Sequence, residues 1–206
     1  MVRGVNPAAL VIACPPAHLD VAREIADDVG IAATVVAGGE TRTDSVRRAM
    51  DAMPAVDVVL IHDVARSGAP IEVFDRVIAT VVKTNDAAVP VLPVHDTIVV
   101  ADDGVVTENT ERARLFRVQT PQGFPGLGYA AAIAETIGDF TDDASIWRGT
   151  GGTVRTVAGD ERSHKITVEA DLASYDGSIR VGLGTDTHAF GDSGPLWLGC
   201  LEWPDE

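Results

Sequence analysis

The sequence predicts an α/β protein with a Rossmann-like, mainly parallel sheet, helices on both faces and one projecting β-hairpin arm. Short apolar runs alternate with amphipathic segments of helical period from the start of the chain. These runs are continuously apolar, as strands are when helices cover both faces of a sheet. With 46% hydrophobic residues in 206, the chain can bury a core of ordinary size.

Strands and helices alternate through the first half of the chain. Ile25 lies on the apolar face of the first predicted helix, which Gly30 ends. Thr43 or Asp44 caps the second helix, and Pro70 stands at the first position of the third. The predicted elements of this half are strands 9–14, 31–36, 56–61 and 87–94 and helices 19–29, 44–53 and 71–84.

A β-hairpin and a return to the sheet are predicted after the fourth strand. The stretch DTIVVADDGVVTENT (96–110) has two β-rich arms around an Asp-Asp-Gly turn, which predicts a hairpin that leaves the α/β body. The chain returns to the sheet over 110–125. Beyond it we predict an alanine-rich helix at 130–137, a helix capped by Thr141, a strand at 152–159, and a short strand that passes into a last helix within 163–175.

The small-residue break DGS at 176–178 divides the chain. We therefore predict one domain over residues 1–175 and a second segment over residues 179–206. The second segment opens on a new apolar strand and carries its own polar cluster.

Charge and cysteine content restrict the partners and the compartment. A formal charge of −15 repels the phosphate backbone of a nucleic acid and an anionic membrane surface. No segment reaches the roughly 18 apolar residues of a membrane span, so we expect neither nucleic acid nor membrane as a partner. Cys14 and Cys200 form no CxxC motif and no disulfide framework, which predicts a cytoplasmic protein.

Polar residues gather where the predicted strands end, the place where doubly wound sheets bind ligands. Each of them alone is typical of a turn or a helix cap. Their joint placement on one edge of the sheet predicts a ligand site. If the ligand carries phosphates, a few local cations must bind them, because the chain as a whole is acidic. They are Gly38, Gly39, Arg42 and Ser45 after the second strand, Asp63 and Arg66 after the third, His95, Asp96 and Thr97 after the fourth, and Lys165 in the last repeat.

Six stretches carry a family resemblance over residues 10–172. VVAGGETRTDSV, VLIHDVARSGAP, VPVLPVHDTI, TPQGFP, TDDASI and SHKITVEADL, in this order and spacing, resemble the methylerythritol phosphate cytidylyltransferases of the non-mevalonate isoprenoid pathway. The resemblance implies a nucleotidyltransferase-type sheet. It also implies transfer of a cytidylyl group from CTP to 2-C-methyl-D-erythritol 4-phosphate, with release of pyrophosphate and with a divalent cation such as magnesium.

The resemblance also implies roles for individual residues, and it makes Asp63, Lys165 and Arg112 the catalytic candidates. Asp63 would hold the metal or sugar hydroxyls, and Lys165 would lie near the α-phosphate and the acceptor phosphate. Thr97 and Arg112 would come from the second subunit of a homodimer, through the hairpin arm. The base side would be bound by Gly39, Glu40, Arg42 and Ser45, and the acceptor by Arg66, Thr97, Arg112 and Thr120.

The front of the sequence departs from the family. Members open with a strand and a Gly-rich loop whose amides and cations cradle the triphosphate, and this sequence begins at what resembles the second strand. We therefore expect the first strand-loop-helix unit to be missing. The 206-residue chain expressed alone is then expected to bind CTP poorly and to release no detectable pyrophosphate. Smaller departures are Glu40 where Asp is usual, His95 where Arg is common, and the absence of a proline directly after Arg66.

The segment 179–206 resembles the first strand of a methylerythritol cyclodiphosphate synthase, the order found in bifunctional fusions. Asp186 and His188 match the Asp-x-His pair that binds a zinc-type metal in a complete cyclase domain. Two ligands leave a zinc ion mostly to water, so we expect no structural zinc here.

Two alternatives remain open from the sequence. The first is a non-catalytic remnant that only dimerises or binds a nucleotide weakly. The second is another sugar-nucleotide transferase or a glycosyltransferase on a similar sheet, which would need an acceptor set different from Thr97, Arg112, Thr120 and Lys165.

Overall fold

The computed structural model describes residues 6–172, 196–198 and 201–203. Helices and strands alternate as the sequence predicts. The helices are α1 (Leu19–Asp28), α2 (Arg42–Asp51), α3 (Ile71–Thr84), α4 (Gly126–Glu135), α5 (Asp143–Gly149) and α6 (Glu169–Leu172). The strands are β1 (Val11–Cys14), β2 (Thr34–Ala37), β3 (Val58–Ile61), β4 (Ala87–Pro93), β5 (Val99–Asp102), β6 (Val105–Asn109), β7 (Phe116–Val118), β8 (Gln122–Pro125), β9 (Val154–Ala158), β10 (Leu196–Leu198) and β11 (Leu201–Trp203).

Five of the strands form a mixed sheet. β8 lies between β3 and β4 and is antiparallel to both, β7 pairs antiparallel with the end of β4, and β9 runs parallel along the opposite edge of β4. The α/β class is confirmed, but the sheet is less parallel than predicted. The reason is that the chain re-enters the sheet from the hairpin arm and therefore runs opposite to β4.

β1 and β2 form a separate parallel pair, from Val11 opposite Thr34 to Cys14 opposite Ala37. Within the described residues, β1 bonds only β2 and β3 bonds only β8, so this pair is not hydrogen-bonded to the five-stranded sheet. Helix α2 packs on β1 and β2 and also reaches the main core. It therefore connects the two sheets.

The core lies on both faces of the main sheet. On one face the buried stripe of α3 covers β8, β4 and β9, as its period predicts. On the other face Phe124 of β8 stacks on Tyr129 of α4 with ring centroids 4.3 Å apart, and both side chains are fully buried. Burial of a large side chain of this kind stabilises the fold by about 1.5 to 3 kcal/mol.

The apolar face of α1 is more exposed than predicted. Ile25 is 58% exposed, and Ala26 is the buried residue of this helix. The reason is that α1 packs mainly on the two-stranded pair of β1 and β2, a surface too narrow to bury a whole helical face.

Two helix caps lie next to the predicted residues. Thr41, not Thr43 or Asp44, caps α2, and Asp142, not Thr141, caps α5. In both helices the capping oxygen accepts the backbone N–H of the residue three positions later, which an N-cap side chain does and a residue inside the first turn cannot.

The strand predicted at the start of 163–175 is not formed. A single 3-10 turn at Glu161–Ser163 is followed by irregular backbone up to α6. The backbone N–H of Ile166 donates to the carbonyl of Ala65 (2.9 Å), which fixes this loop against the segment after β3. Lys165 is thereby carried on a loop next to the end of β3.

The predicted hairpin arm is confirmed as β5 and β6, an antiparallel pair that bonds no other described strand. Its turn uses Asp103 and Gly104, both with positive φ, as a two-residue hairpin turn requires. The apolar side chains of the arm are exposed by 37% to 65%: Ile98, Val99, Val100, Val105 and Val106.

No helix in the described part of the chain combines the length and the apolar character needed to cross a bilayer. The predicted metal pair, Asp186 and His188, and the predicted boundary at 175 lie outside the described residues.

Candidate active site

A cleft of about 230 Å³ opens where β3 ends, beside the first turns of α2 and α5. Its position at the carboxyl end of a strand is the one that the sequence predicts. The cleft contains five of the predicted site residues. Its lining residues are Arg42, Asp63, Arg66, Val118, Gln119, Thr120, Gln122, Thr141, Asp142 and Lys165.

Asp63 is held between two cations. Lys165 Nζ lies 3.1 Å from Asp63 Oδ2, and Arg42 Nη2 lies 3.4 Å from Asp63 Oδ1. Burial acts to raise the pKa of Asp63, but the hydrogen bond from Lys165 and the charges of Arg42, Lys165 and Arg66 outweigh it, and the pKa lies below its usual value. Asp63 is therefore an ionised carboxylate at the floor of the cleft.

Arg42 has a second and closer partner that the sequence did not indicate. Its Nη2 lies 2.6 Å from Oδ2 of Asp143, whose side chain is fully buried at the start of α5. The Tyr129 hydroxyl donates to the other oxygen of Asp143 (2.5 Å). Burial acts to lower the pKa of Arg42, but Asp143 and Asp63 outweigh it and the pKa is raised. Burial and Asp143 also raise the pKa of Tyr129, which stays a phenol.

Arg66 connects three segments at the edge of the cleft. Its guanidinium donates to the backbone carbonyls of Ser163 (2.8 Å) and Val118 (3.3 Å). Burial lowers its pKa and Asp63 opposes that change, although an arginine remains charged at neutral pH. Arg66 thus supplies positive charge to the cleft and also fixes β7 against the Glu161–Ser163 turn.

Thr120 anchors Asp63 rather than pointing freely into the cleft. Its hydroxyl oxygen accepts the backbone N–H of Asp63 (3.0 Å) and lies 3.0 Å from Nδ1 of His62. Thr120 is 4% exposed and precedes a cis peptide bond to Pro121. Burial lowers the pKa of His62, which favours a neutral ring that accepts from Thr120.

The loop before α2 brings three predicted residues together. Ser45 Oγ accepts the backbone N–H of Gly39 (3.0 Å) and donates to the carbonyl of Thr41 (2.9 Å). Glu40 lies between them and is exposed. Gly39, Glu40 and Ser45 are not among the lining residues of the cleft, so they form a neighbouring surface at the start of α2.

Gly39 is required for the close approach of this loop to α2. A Cβ at this position would lie 2.2 Å from Cβ of Asp44 and 3.0 Å from the Asp44 carbonyl carbon. We expect Gly39→Ala to lower the free energy of unfolding by about 1 to 3 kcal/mol, because this neighbour is close to the helix backbone and cannot move alone. Urea denaturation measures the change.

The matched control is Gly149→Ala. Gly149 ends α5, and a Cβ added there would meet no neighbouring side chain or loop within 4 Å. This variant should leave the free energy of unfolding unchanged or raise it by up to about 1 kcal/mol, because alanine favours the helix over glycine. Equal stability of the two variants would contradict the close approach at Gly39.

Thr97 and Arg112 are not brought to the cleft in a single chain. Both are exposed near the base of the hairpin arm, and Arg112 Nη1 donates to the carbonyl of His95 (2.7 Å). Neither is among the lining residues. Their action across a dimer stays a prediction.

Sequence reasoning missed Asp143 and Tyr129. TDDASI is one of the six family stretches, but its second Asp resembles an ordinary residue in the first turn of a helix. Tyr129 lies in an alanine-rich helix and resembles a core residue. Only the fold brings Arg42 to Asp143, 101 positions further along the chain.

Comparisons with known proteins identify the family and the fold. The family model of 2-C-methyl-D-erythritol 4-phosphate cytidylyltransferase (IspD) matches residues 5–180. A bifunctional enzyme IspD/IspF from Clavibacter michiganensis subsp. michiganensis is 38% identical over 97% of this chain and 53% of the relative. One from Sphingopyxis alaskensis is 43% identical over 80% of this chain and 45% of the relative. The chain thus spans about half the length of the curated relatives it matches.

A solved structure is similar as well. The crystal structure of 2-C-methyl-D-erythritol 4-phosphate cytidylyltransferase from Thermus thermophilus matches with a TM-score of 0.73 and 32% identity. The match covers 84% of this chain and 83% of that one.

Proposed function

The chain belongs to the 2-C-methyl-D-erythritol 4-phosphate cytidylyltransferase family, and from this premise we propose that it transfers a cytidylyl group from CTP to 2-C-methyl-D-erythritol 4-phosphate. The observation that supports this most directly is the position of Asp63. Its carboxylate lies at the end of β3, 3.1 Å from Lys165 and 3.4 Å from Arg42, in a cleft that Arg66 also lines.

The reaction needs local positive charge. An oxygen of the acceptor phosphate forms a bond to the α-phosphorus of CTP, the bond from that phosphorus to the bridging oxygen breaks, and pyrophosphate leaves. Two polyanions must be held in line while negative charge develops. Lys165 and Arg66 supply two of the cations that line the cleft.

Lys165 is the cation best placed to change partner during the reaction. Its side chain is 45% exposed, and Asp63 is its only ion-pair partner among the described residues. Because this side chain is nearly half exposed, water and salt screen the attraction of its ammonium group to Asp63, although Asp63 itself is only 18% exposed. A phosphate oxygen can therefore replace Asp63 at the ammonium group.

Magnesium is the metal that we propose for the transferase. No group of three or more His, Cys, Asp or Glu residues that could hold a metal occurs in the described ranges. A magnesium ion bound with a nucleotide needs only one or two protein carboxylates, because phosphates and waters fill its other positions. Asp63 fits this requirement, since its 3.4 Å contact with Arg42 is loose. The ion would neutralise charge on the triphosphate.

The experiment that tests the proposed function is an assay of pyrophosphate release by an extended chain, in which a strand-loop-helix unit of the family is joined before Val2. The extension is needed because the 206-residue chain alone is expected to release none. We expect release that requires both CTP and methylerythritol phosphate, with little release when ATP, GTP or UTP replaces CTP. Release that is independent of the acceptor would contradict transfer and indicate hydrolysis. Release with all four nucleotides would contradict the choice of CTP.

The separation of β1 and β2 from the main sheet supports a second candidate function, the non-catalytic binding module. Among the described residues, β1 and β2 bond no strand of the five-stranded sheet, and Arg42 of the cleft lies in α2, the helix that packs on this separate pair. Two measurements separate the candidates: titration calorimetry measures CTP binding, and the pyrophosphate assay measures turnover. CTP binding without pyrophosphate release supports the non-catalytic binding module, and pyrophosphate release excludes it. The expected weak CTP binding of the isolated chain stays a prediction, as do its cytoplasmic location and the metal pair of the second segment.

We propose that the hairpin arm makes a homodimer, because a second subunit would bury its exposed apolar side chains. Val105 and Val106, which are 65% and 58% exposed, are the residues to change. We expect Val105→Asp with Val106→Asp to weaken dimerisation by about tenfold to a hundredfold, since charges would be buried at an apolar contact. Light scattering at micromolar concentration measures the change.

The matched control is Ile137→Asp. Ile137 is an apolar residue that is 93% exposed after α4, away from the arm. It should leave the molecular mass unchanged. A monomeric unmodified protein, or dimers that survive the double substitution, would contradict the role of the arm.

A further inference from the structure

A buried carboxylate contacts the cleft from inside the protein. Asp143 is fully buried, accepts the Tyr129 hydroxyl on Oδ1 (2.5 Å) and binds Arg42 through Oδ2 (2.6 Å). Tyr129 is itself fixed by its stacking on Phe124. Two consecutive helices, α4 and α5, and the distant helix α2 therefore converge on one guanidinium group at the wall of the cleft.

A contribution to folding stability does not by itself explain this arrangement. A buried ion pair often contributes nothing to stability relative to apolar residues, because both charges lose their water. Here the pair is also asymmetric: the Asp143 side chain is 0% exposed, whereas that of Arg42 is 30% exposed and reaches the cleft. Asp143 thus binds the Arg42 guanidinium from the buried side, and the exposed part of that side chain is accessible to a ligand in the cleft.

The two distances at Arg42 show which carboxylate fixes it. The contact with Asp143 is 2.6 Å, and the contact of the same nitrogen with Asp63 is 3.4 Å. A charge-assisted hydrogen bond at the shorter distance is strong, and one at the longer distance is weak. Asp143 therefore sets the position of the guanidinium, and Asp63 is the partner that can exchange.

We propose that Tyr129 and Asp143 are positioning residues, which hold Arg42 so that it orients the Asp63 carboxylate without capturing it. The consequence for catalysis rests on the proposed cytidylyl transfer; the positioning itself does not. Without this support Arg42 would turn to Asp63, the only other carboxylate that it contacts among the described residues. It would then compete with the metal or the substrate for that carboxylate.

Tyr129→Phe is the variant that tests the positioning, because it removes one hydroxyl and keeps the ring that stacks on Phe124. Thr43→Val is the matched control. Thr43 is 1% exposed and adjacent to Arg42 in α2, but its hydroxyl binds Asp139 and Phe140 instead of Asp143. A purely structural effect of losing a buried hydroxyl would occur in both variants.

The first readout is independent of activity. In nuclear magnetic resonance spectra of the 206-residue chain, the Nη protons of Arg42 should be resolved in the unmodified protein and in Thr43→Val, because the ion pair stops rotation of the guanidinium. In Tyr129→Phe they should average to one signal. Unchanged Arg42 signals in Tyr129→Phe would overturn the proposal.

The second readout is the kinetics of the extended chain, in which a strand-loop-helix unit of the family is joined before Val2. Tyr129→Phe should lower kcat by about tenfold and leave KM within about twofold, because the substrate contacts remain and the orientation of Asp63 is lost. Asp143→Asn should lower kcat further, and adding Tyr129→Phe to it should change nothing more, since the hydroxyl acts only through Asp143. An equal loss in Thr43→Val, or additive losses, would overturn the proposal. If the extended chain without substitutions releases no pyrophosphate, the proposed function fails, and the Arg42 spectra alone decide the positioning.

Discussion

In the chain extended by the N-terminal strand-loop-helix unit, replacement of Asp63 by asparagine is expected to lower the rate of pyrophosphate release by about a hundredfold or more, the usual loss when a preorganised charge contact is removed. Asparagine has the same shape but no negative charge, so it neither attracts a divalent cation nor holds Lys165 and Arg42 at 3.1 and 3.4 Å. Steady-state assays with both substrates measure the loss, which should fall mainly on kcat.

The fold should survive this substitution. The backbone N–H of Asp63 still donates to Thr120, and Arg42 keeps its closer partner, Asp143. Circular dichroism and the midpoint of thermal unfolding check this point. The matched control is Asp57→Asn, which changes an exposed acidic residue just before the other end of β3 and should leave the rate unchanged. A rate within about threefold of the unmodified protein for Asp63→Asn would refute its role as metal or hydroxyl ligand.

The position of Asp63 was predictable because strand ends are readable from sequence. The apolar run 58–61 predicts a buried strand, and a polar residue that follows such a strand falls at the edge where ligands bind. Arg66 and Lys165 entered the candidate site by the same reasoning, and the cleft contains both. Local periodicity thus predicts which residues reach the edge, but not what they contact there.

The contacts that sequence could not predict depend on long-range packing. Thr120 and Asp63 are 57 positions apart, and their hydrogen bond exists only because β8 pairs antiparallel with β3. That pairing in turn follows from the return of the chain out of the hairpin arm, which a search for alternating parallel strands and helices does not anticipate. The sequence predicts that Arg42 binds substrate, and its pairing with Asp143 becomes apparent only from the fold.

A protein of net charge −15 can bind two polyanions only if its cleft carries more positive charge than the rest of its surface. Among the residues that line it, three cations (Arg42, Arg66 and Lys165) face two carboxylates (Asp63 and Asp142). Arg42 is already neutralised by the buried Asp143, and Arg66 is held by two backbone carbonyls. Lys165, on its loop, is therefore the cation that is easiest to transfer to a phosphate.

Removal of the Lys165 charge should lower catalysis nearly as much as removal of the Asp63 charge. We expect Lys165→Met to lower kcat/KM by about a hundredfold, because methionine keeps much of the apolar stem and loses the group that stabilises charge on the phosphate in the transition state. Lys165→Arg should recover only part of the loss, since the planar guanidinium does not reproduce a compact ammonium group. Titration with methylerythritol phosphate, monitored by calorimetry, separates a loss of binding from a loss of turnover.

The chain provides a matched control, because Lys83 is its only other lysine. Lys83 is exposed in the last turn of α3, where Lys83→Met removes the same charge and leaves the cleft unchanged. Both variants bring the net charge to the same value, so a general electrostatic effect would lower kcat/KM equally in both. We expect kcat/KM to fall in Lys165→Met and to stay unchanged in Lys83→Met. Equal values for the two variants would show that the ammonium group of Lys165 does not act on the phosphates, and Arg66 would then be the cation to test.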